Sequence, residues 1–203
     1  MTASAEPPVR RTGSRVVYRN DWMSVREDDI EFADGTRSIY GVLDKPDYAV
    51  IIAVEESAAG PRLHLVEQYR YAIERRSLEF PMGGWPAGKS GTAEELARAE
   101  LREETGLTAD TWVRLGHLVQ STGHSSQAFD VYLATGLTAG DHEREATEGD
   151  MEHRVVTEDE FCDLVAGGTI TDSPTVAAYG MLLLHRRTLA AAERQGPAGA
   201  AAH

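Results

Sequence analysis

Glu94-Glu95-Leu96-Ala97-Arg98-Ala99-Glu100-Leu101-Arg102-Glu103-Glu104-Thr105-Gly106-Leu107 carries the most specific pattern in the chain. It predicts a short helix with three carboxylates on one face. At about 100° per residue, Glu100, Glu103 and Glu104 fall within an arc of roughly 100°. Thr92 followed by Glu95 makes a capping box that fixes the helix start, and Gly106 supplies a left-handed cap at its end. Ala97 and Leu101 give an apolar flank that docks the helix while the glutamates face a cleft. Acidic runs on helices are ordinarily solvated surface, but like charges crowded this closely repel unless a cation sits among them. A hard divalent cation held by oxygen ligands suits the pattern, and Mg²⁺ commonly completes its shell with substrate phosphates. The stretch points to a metal-dependent enzyme acting on a phosphorylated compound.

Length and charge narrow the field. With 203 residues the chain can bury one real core and carry a small appended sheet. A net charge of −13 argues against a polyanionic nucleic acid as the main partner, while a small phosphorylated ligand stays compatible. Cys162 is the single cysteine, so neither an intrachain disulfide nor a thiolate zinc cluster can form, and a reducing cytoplasm is the expected compartment. No apolar run approaches the ~20 residues a membrane span needs, and no apolar segment follows Arg10-Arg11 as in a secretory signal. No membrane partner is expected.

Outward from the glutamate helix, the chain alternates strand and turn signals. Val16-Val17-Tyr18, Met23 to Phe32 and Ser38 to Leu43 predict a three-stranded antiparallel sheet, with turns at Asn20-Asp21 and Asp34-Gly35. Tyr48 to Val54 is a continuous apolar run, the mark of a buried central strand. Leu63 to Val66 pairs back as a hairpin, and Val113–Leu118, Ala128–Leu133 and Val155-Val156 add strands. Glu158 to Val165 predicts a helix. Ser173 as cap and Pro174 at the first position open the last one, with Val176, Gly180, Leu183 and Leu184 as its core face. The expected divisions are a loose N-terminus at 1–13, a β-sheet subdomain at 14–45, a main domain at 46–194 and a loose tail at 195–203. Mixed strands with few helices on both sides suggest an α/β/α sandwich.

Taken together these residues resemble the Nudix hydrolase superfamily. Its signature ends Arg-Glu-apolar-x-Glu-Glu-x-Gly-apolar, matched here by Glu100-Leu101-Arg102-Glu103-Glu104-Thr105-Gly106-Leu107. Glu67-Gln68-Tyr69-Arg70, Leu78-Glu79-Phe80-Pro81-Met82-Gly83 and Gly168-Thr169-Ile170-Thr171-Asp172 are similar to the ADP-ribose pyrophosphatase branch. The resemblance spans about residues 15–187 and implies a Nudix-type sandwich with a mixed sheet plus the small N-terminal sheet, which in that branch contributes to a homodimer and to the nucleotide pocket. Four positions depart from the pattern: Ala99 stands for the family arginine, Gly91 for an earlier glutamate, Trp85 for the opening glycine and Thr122 for a proline after the box.

The family implies hydrolysis of a nucleoside diphosphate linked to a second moiety, with ADP-ribose or a related nucleoside diphosphate sugar as substrate and Mg²⁺, or Mn²⁺ as a substitute, as cofactor. Glu100, Glu103 and Glu104 are the expected metal ligands, with a backbone carbonyl near Met82 or Gly83 as a further one. Of the acids Glu145, Glu148 and Glu152 in the late acidic loop, Glu148 aligns as the general base, and all three also read as solvated loop acids. Glu103 is the other expected catalytic residue. Arg70 is expected on the diphosphate, its alternative being an ion pair with Glu67 or Glu79. Glu79 is expected on the nucleotide or a metal, and Trp22 and Tyr40 either stack on a base or ribose or pack in the core. Two rival functions remain: removal of damaged nucleoside triphosphates, which the N-terminal strands disfavour, and a nucleotide-sugar sensor without turnover, which Ala99 and Gly91 favour.

Overall fold

Strand β4 (Tyr48–Glu55) shows why the chain folds in layers. Its side chains alternate between two buried faces, as a strand's period of two requires. Ala49, Ile51 and Ala53 face one way, against Leu96, Ala97 and Leu101 of helix α1 (Ala93–Thr105). Val50, Ile52 and Val54 face the other, in a cluster with Phe161 of α2 (Glu158–Ala166) and Ala178 and Leu182 of α3 (Ser173–Gln195). A strand covered on both sides must be apolar throughout, and this one is.

The computed structural model describes residues 7–86, 88–140 and 150–195. These form two compact units. The larger holds a seven-stranded mixed sheet in the order β10-β5-β4-β9-β8, with β6 added beside β5 and β7 beside β4. Here β5 is Arg62–Arg70, β6 Arg75–Glu79, β7 Met82–Gly83, β8 Leu107–Val119, β9 Ala128–Ala139 and β10 Glu152–Thr157. β4 runs parallel to β9, Tyr48 opposite Phe129 through Ala53 opposite Ala134, and antiparallel to β5 and β7. With α1 on one face and α2 and α3 on the other, the expected α/β/α sandwich is present.

The smaller unit is the antiparallel sheet β1 (Val9–Arg19), β2 (Ser24–Phe32) and β3 (Arg37–Asp44) together with residues 119–128. The loop ties onto β3: Leu43 N–H donates to His124 C=O (2.8 Å), Ser125 Oγ–H to Leu43 C=O (2.7 Å) and Gln127 Nε2 to Pro46 C=O (2.7 Å). Its polar centre is Asp28, which accepts from Ser14 Oγ at 2.5 Å and from Arg26 Nε at 3.1 Å.

Three local expectations change. β1 begins at Val9, inside the segment expected to be loose, because Val9 to Arg11 pair with Phe32 to Ile30 despite an unremarkable sequence. In α3 the cap is Asp172: its Oδ2 accepts from Thr175 N–H (2.9 Å) and its C=O from Val176 N–H (3.2 Å). The inward stripe of α3 is Thr175, Ala178 and Leu182, while Val176, Leu183 and Leu184 are exposed. Small residues at 175 and 178 let the helix approach the sheet closely, which the large residues would prevent. Among the described residues no helix is long and apolar enough to cross a membrane.

Candidate active site

The glutamate helix forms as its sequence dictates. Thr92 Oγ1 accepts from Glu95 N–H (3.1 Å), Glu95 Oε2 accepts from Thr92 N–H (2.7 Å), and Gly106 closes the helix at φ +73°. Arg98 reaches back to Glu94 (2.8 Å) on the solvent side and lies over the Trp112 ring at 4.8 Å. The opposite side carries the unusual feature. Glu104 is 2% exposed and Glu100 9%, both on the stripe that also buries Leu101, with Glu103 half-buried beside them. Burying carboxylates is costly unless hydrogen bonds or cations meet them, so two on one inward face make this side of the helix the candidate site.

What meets them first is β7. Met82 N–H donates to Glu104 Oε2 at 3.0 Å. A Cβ built on Gly83 would lie 2.5 Å from the Glu100 carboxyl carbon, so any side chain there would require the Glu100 carboxylate to shift. Carboxylate oxygens beside a half-buried strip of backbone are the hard donor set that Mg²⁺ or Mn²⁺ prefers. Among the described residues no three His, Cys, Asp or Glu side chains converge as a ready cation site. The donors share a face, and Glu104 is turned onto the Met82 amide.

A second cluster adjoins β4 to β6 and the start of α3. Arg70 grips the buried Glu79 through Nε (3.0 Å to Oε1) and through Nη2 to Oε2. Burial alone would lower the Arg70 pKa; hydrogen bonding and charge from Glu79, with the fields of Glu104 and Asp172, outweigh it and leave the guanidinium more firmly protonated. With 40% of its side chain exposed, Arg70 still offers an edge to an anion. Burial raises the Asp172 pKa against the hydrogen bonding of Thr175, and the Glu79 charge adds to the rise. Burial, then the fields of Asp172 and Glu79, also raises the Tyr48 phenol, whose hydroxyl has no hydrogen-bond partner among the described residues.

The structure therefore sets Gly83 against Glu100 and the Met82 amide against Glu104, leaves Glu103 half-buried on the same helix, and joins Arg70 to Glu79, the ion pair anticipated as its alternative role. Trp22 and Tyr40 lie in the smaller unit. Trp22 is 73% exposed at a turn where Asn20 Oδ1 accepts from its N–H (2.9 Å), and it helps line a cleft of about 300 Å³ with Arg19, Asp44 and Lys45. Tyr40 donates its hydroxyl to Gly123 C=O at 2.5 Å, so neither aromatic is core packing. Glu148 and Glu145 lie outside the described residues. Tyr48 and Thr175 carried no site signal in sequence, and Asp172 carried one only as the end of the Gly168–Asp172 stretch and through the Asp-x-x-Thr spacing that a cap would need.

The departures at Trp85 and Gly91 prove to be coupled. A Cβ on Gly91 would lie 2.7 Å from Trp85 Cζ2, so the indole fills the space a glutamate side chain would leave through. Trp85 packs there against the Leu96 and Leu101 cluster.

Comparison with known proteins gives a consistent result. Residues 9–43 match the family model for the nucleoside diphosphate sugar hydrolase N-terminal domain. An ADP-ribose pyrophosphatase of Mycobacterium tuberculosis is 31% identical over 186 residues, covering 91% of this chain and 86% of that protein. A methanol dehydrogenase activator of Bacillus methanolicus is 27% identical over 83% of this chain and 89% of its own length. A crystal structure of an ADP compounds hydrolase superposes with a TM-score of 0.76 at 21% identity, covering 96% of this chain and 99% of that one, which supports the fold.

Proposed function

Because the chain belongs to the Nudix hydrolases, in their ADP-ribose pyrophosphatase-like branch, we propose that it hydrolyses the diphosphate of ADP-ribose or a related nucleoside diphosphate sugar, releasing a nucleoside monophosphate and a sugar phosphate. The observation that carries this reading is the pair of buried carboxylates, Glu100 and Glu104, facing the glycine backbone of β7.

Glu100, Glu103 and Glu104, with the Gly83 carbonyl, are the groups that would hold Mg²⁺ or, as a substitute, Mn²⁺. When bound, such a cation would neutralise diphosphate charge and lower the pKa of a water so that it can give up a proton and act as a nucleophile. The chain's own residues supply the rest. Glu79 fixes the Arg70 fork so that its remaining edge meets diphosphate oxygens without searching for a geometry. Burial of Glu104 keeps bulk water from competing for its oxygens. Glu148 is the residue proposed as base. Trp22, flat and exposed beside its cleft, suits stacking on a base.

We further read the protein as a cytoplasmic homodimer built through the N-terminal sheet, on which Val16, Val17, Tyr18 and Ile39 are exposed. Light scattering on the purified chain tests the dimer. The activity is tested by following ADP-ribose with Mg²⁺ by phosphorus NMR. Appearance of AMP and ribose 5-phosphate is the expected result. Release of pyrophosphate from nucleoside triphosphates, with ADP-ribose untouched, would overturn the proposal.

A further inference from the structure

Phe80 to Gly83, the short passage from β6 into β7, is held one residue at a time by different parts of the larger unit. Phe80 N–H donates to Thr175 Oγ1 at 3.0 Å. Pro81 C=O accepts from Ile51 N–H at 2.9 Å. Met82 N–H donates to Glu104, and Gly83 abuts Glu100. The first of these bonds is out of character with its surroundings. Phe80 and Thr175 are both fully buried, and a buried backbone N–H must find a partner. In a sheet the partner is normally another strand; here it is a hydroxyl 95 residues away in the first turn of α3.

That hydroxyl is itself held in place. The backbone N–H of Thr175 is fixed by the capping carboxylate of Asp172 at 2.9 Å. A chain of fixed groups thus runs from Asp172 through Thr175 to Phe80 and, two residues on, to the amide that Glu104 accepts from.

We propose that Thr175 is a positioning residue for the glutamate face: its hydroxyl sets the height at which the Met82 amide and the Gly83 backbone meet Glu104 and Glu100, and thereby the affinity of that face for a divalent cation. The hydrogen bonds of its side chain and backbone go to Phe80 and Asp172, so it acts through Phe80 to Gly83. This inference rests on the reading of Glu100 and Glu104 as cation ligands.

The experiment is Mn²⁺ binding to the full chain without substrate, followed by electron paramagnetic resonance, together with kcat. Thr175→Val removes the acceptor at nearly constant shape, Thr175→Cys weakens it and Thr175→Ser keeps it. Loss of a group that orients ligands costs about 10–100-fold in metal affinity. Thr175→Val should therefore weaken Mn²⁺ binding about tenfold and lower kcat at a temperature where circular dichroism shows it folded. Thr175→Cys should fall between Thr175→Val and wild type, and Thr175→Ser within about twofold of wild type. Should Thr175→Val fail to fold, Thr175→Cys decides alone. Wild-type Mn²⁺ affinity and kcat in a folded Thr175→Val or Thr175→Cys would overturn the proposal and reduce Thr175 to a stability role. Failure of the wild-type chain to bind Mn²⁺ at all would instead overturn the functional reading, and this inference with it.

Discussion

Helices α1 and α2 open with the same device. Thr92 and Thr157 each accept from the N–H three residues on, and Glu95 and Glu160 each return a carboxylate to the cap. Beyond the first turn the two diverge. α2 turns Phe161 inward onto Phe80 (centroids 5.3 Å apart) and Tyr179 (4.7 Å), and its Glu158 is met by Arg186 at 2.6 Å. α1 turns Glu100 and Glu104 inward beside Leu101, with a backbone amide meeting Glu104. Apolar burial stabilises by leaving water, whereas carboxylate burial costs unless something meets the charge. Equivalent caps thus say where each helix starts; the inward face, apolar in α2 and carrying two carboxylates in α1, is what distinguishes them.

The largest expected effect breaks the comparison at α1. Glu104→Gln should lower the rate of ADP-ribose hydrolysis on the order of 10³-fold, the scale of losing a preorganised electrostatic contact. Melting temperature should hold steady or rise, because a buried charge has gone. Steady-state kinetics beside thermal melts check both. An unchanged kcat would make α1 a packing helix like α2.

The mirror substitution is Phe161→Ala. Removing a fully buried aromatic from a cluster of three rings should cost about 3–5 kcal/mol of stability. The folded fraction should keep its turnover. Denaturant titration with activity corrected for folded protein separates the two.

How much of this was legible beforehand follows the same division. The capping box and Gly106 come from neighbours in sequence, where periodicity and turn chemistry operate, and they were read correctly; the same periodicity put Glu100 and Glu104 on one side, which is buried. The apolar run at Tyr48 to Val54 likewise announced a central strand. The inward face of α3 was not legible, since Leu183 and Leu184 are the more hydrophobic residues and yet point outward. There the close fit of Thr175 and Ala178 to the sheet decided the orientation, and local pattern carries no record of that fit. The second polar cluster was legible only in part: the Arg70–Glu79 pair was anticipated as one alternative, but Asp172 and Tyr48 come from distant parts of the chain, and only the fold makes them neighbours. The coupling of Trp85 to Gly91 is a further case: two departures from a family pattern, six residues apart in sequence, become one packing event in space.

Gly83→Ala sharpens the comparison without touching an acid. A methyl group there must displace the Glu100 carboxylate. The expected loss is about 10–100-fold in divalent cation affinity, seen as a raised Mg²⁺ requirement in the activity assay. Unaltered Mg²⁺ dependence would show that β7 and Glu100 are not coupled.

Cap removal should then treat the two helices alike in stability and differently in activity. Thr92→Ala and Thr157→Ala should each cost about 1 kcal/mol in denaturant melts. Only Thr92→Ala should also reduce turnover, through fraying of the helix that carries the glutamates.

The smallest effect lies at Glu158 and is read in acid. Burial tends to raise its pKa, but the bonds from Arg186 and Tyr179 outweigh burial and leave it below the ordinary 4.5. A carboxylate with a depressed folded-state value contributes stability that is complete above 4.5 and is lost as pH falls toward that lower value. Glu158→Gln should therefore lower stability slightly at neutral pH, by well under about 1 kcal/mol once solvent screening of this partly exposed pair is allowed for, seen as a small drop in melting temperature. The difference from wild type should shrink steadily as pH drops below 4.5, with turnover at neutral pH unchanged. A carboxylate that registers in acid melts but not in kcat is the converse of Glu104. If Glu158→Gln instead impaired catalysis, the contrast between a helix that packs and a helix that reacts would no longer separate α2 from α1.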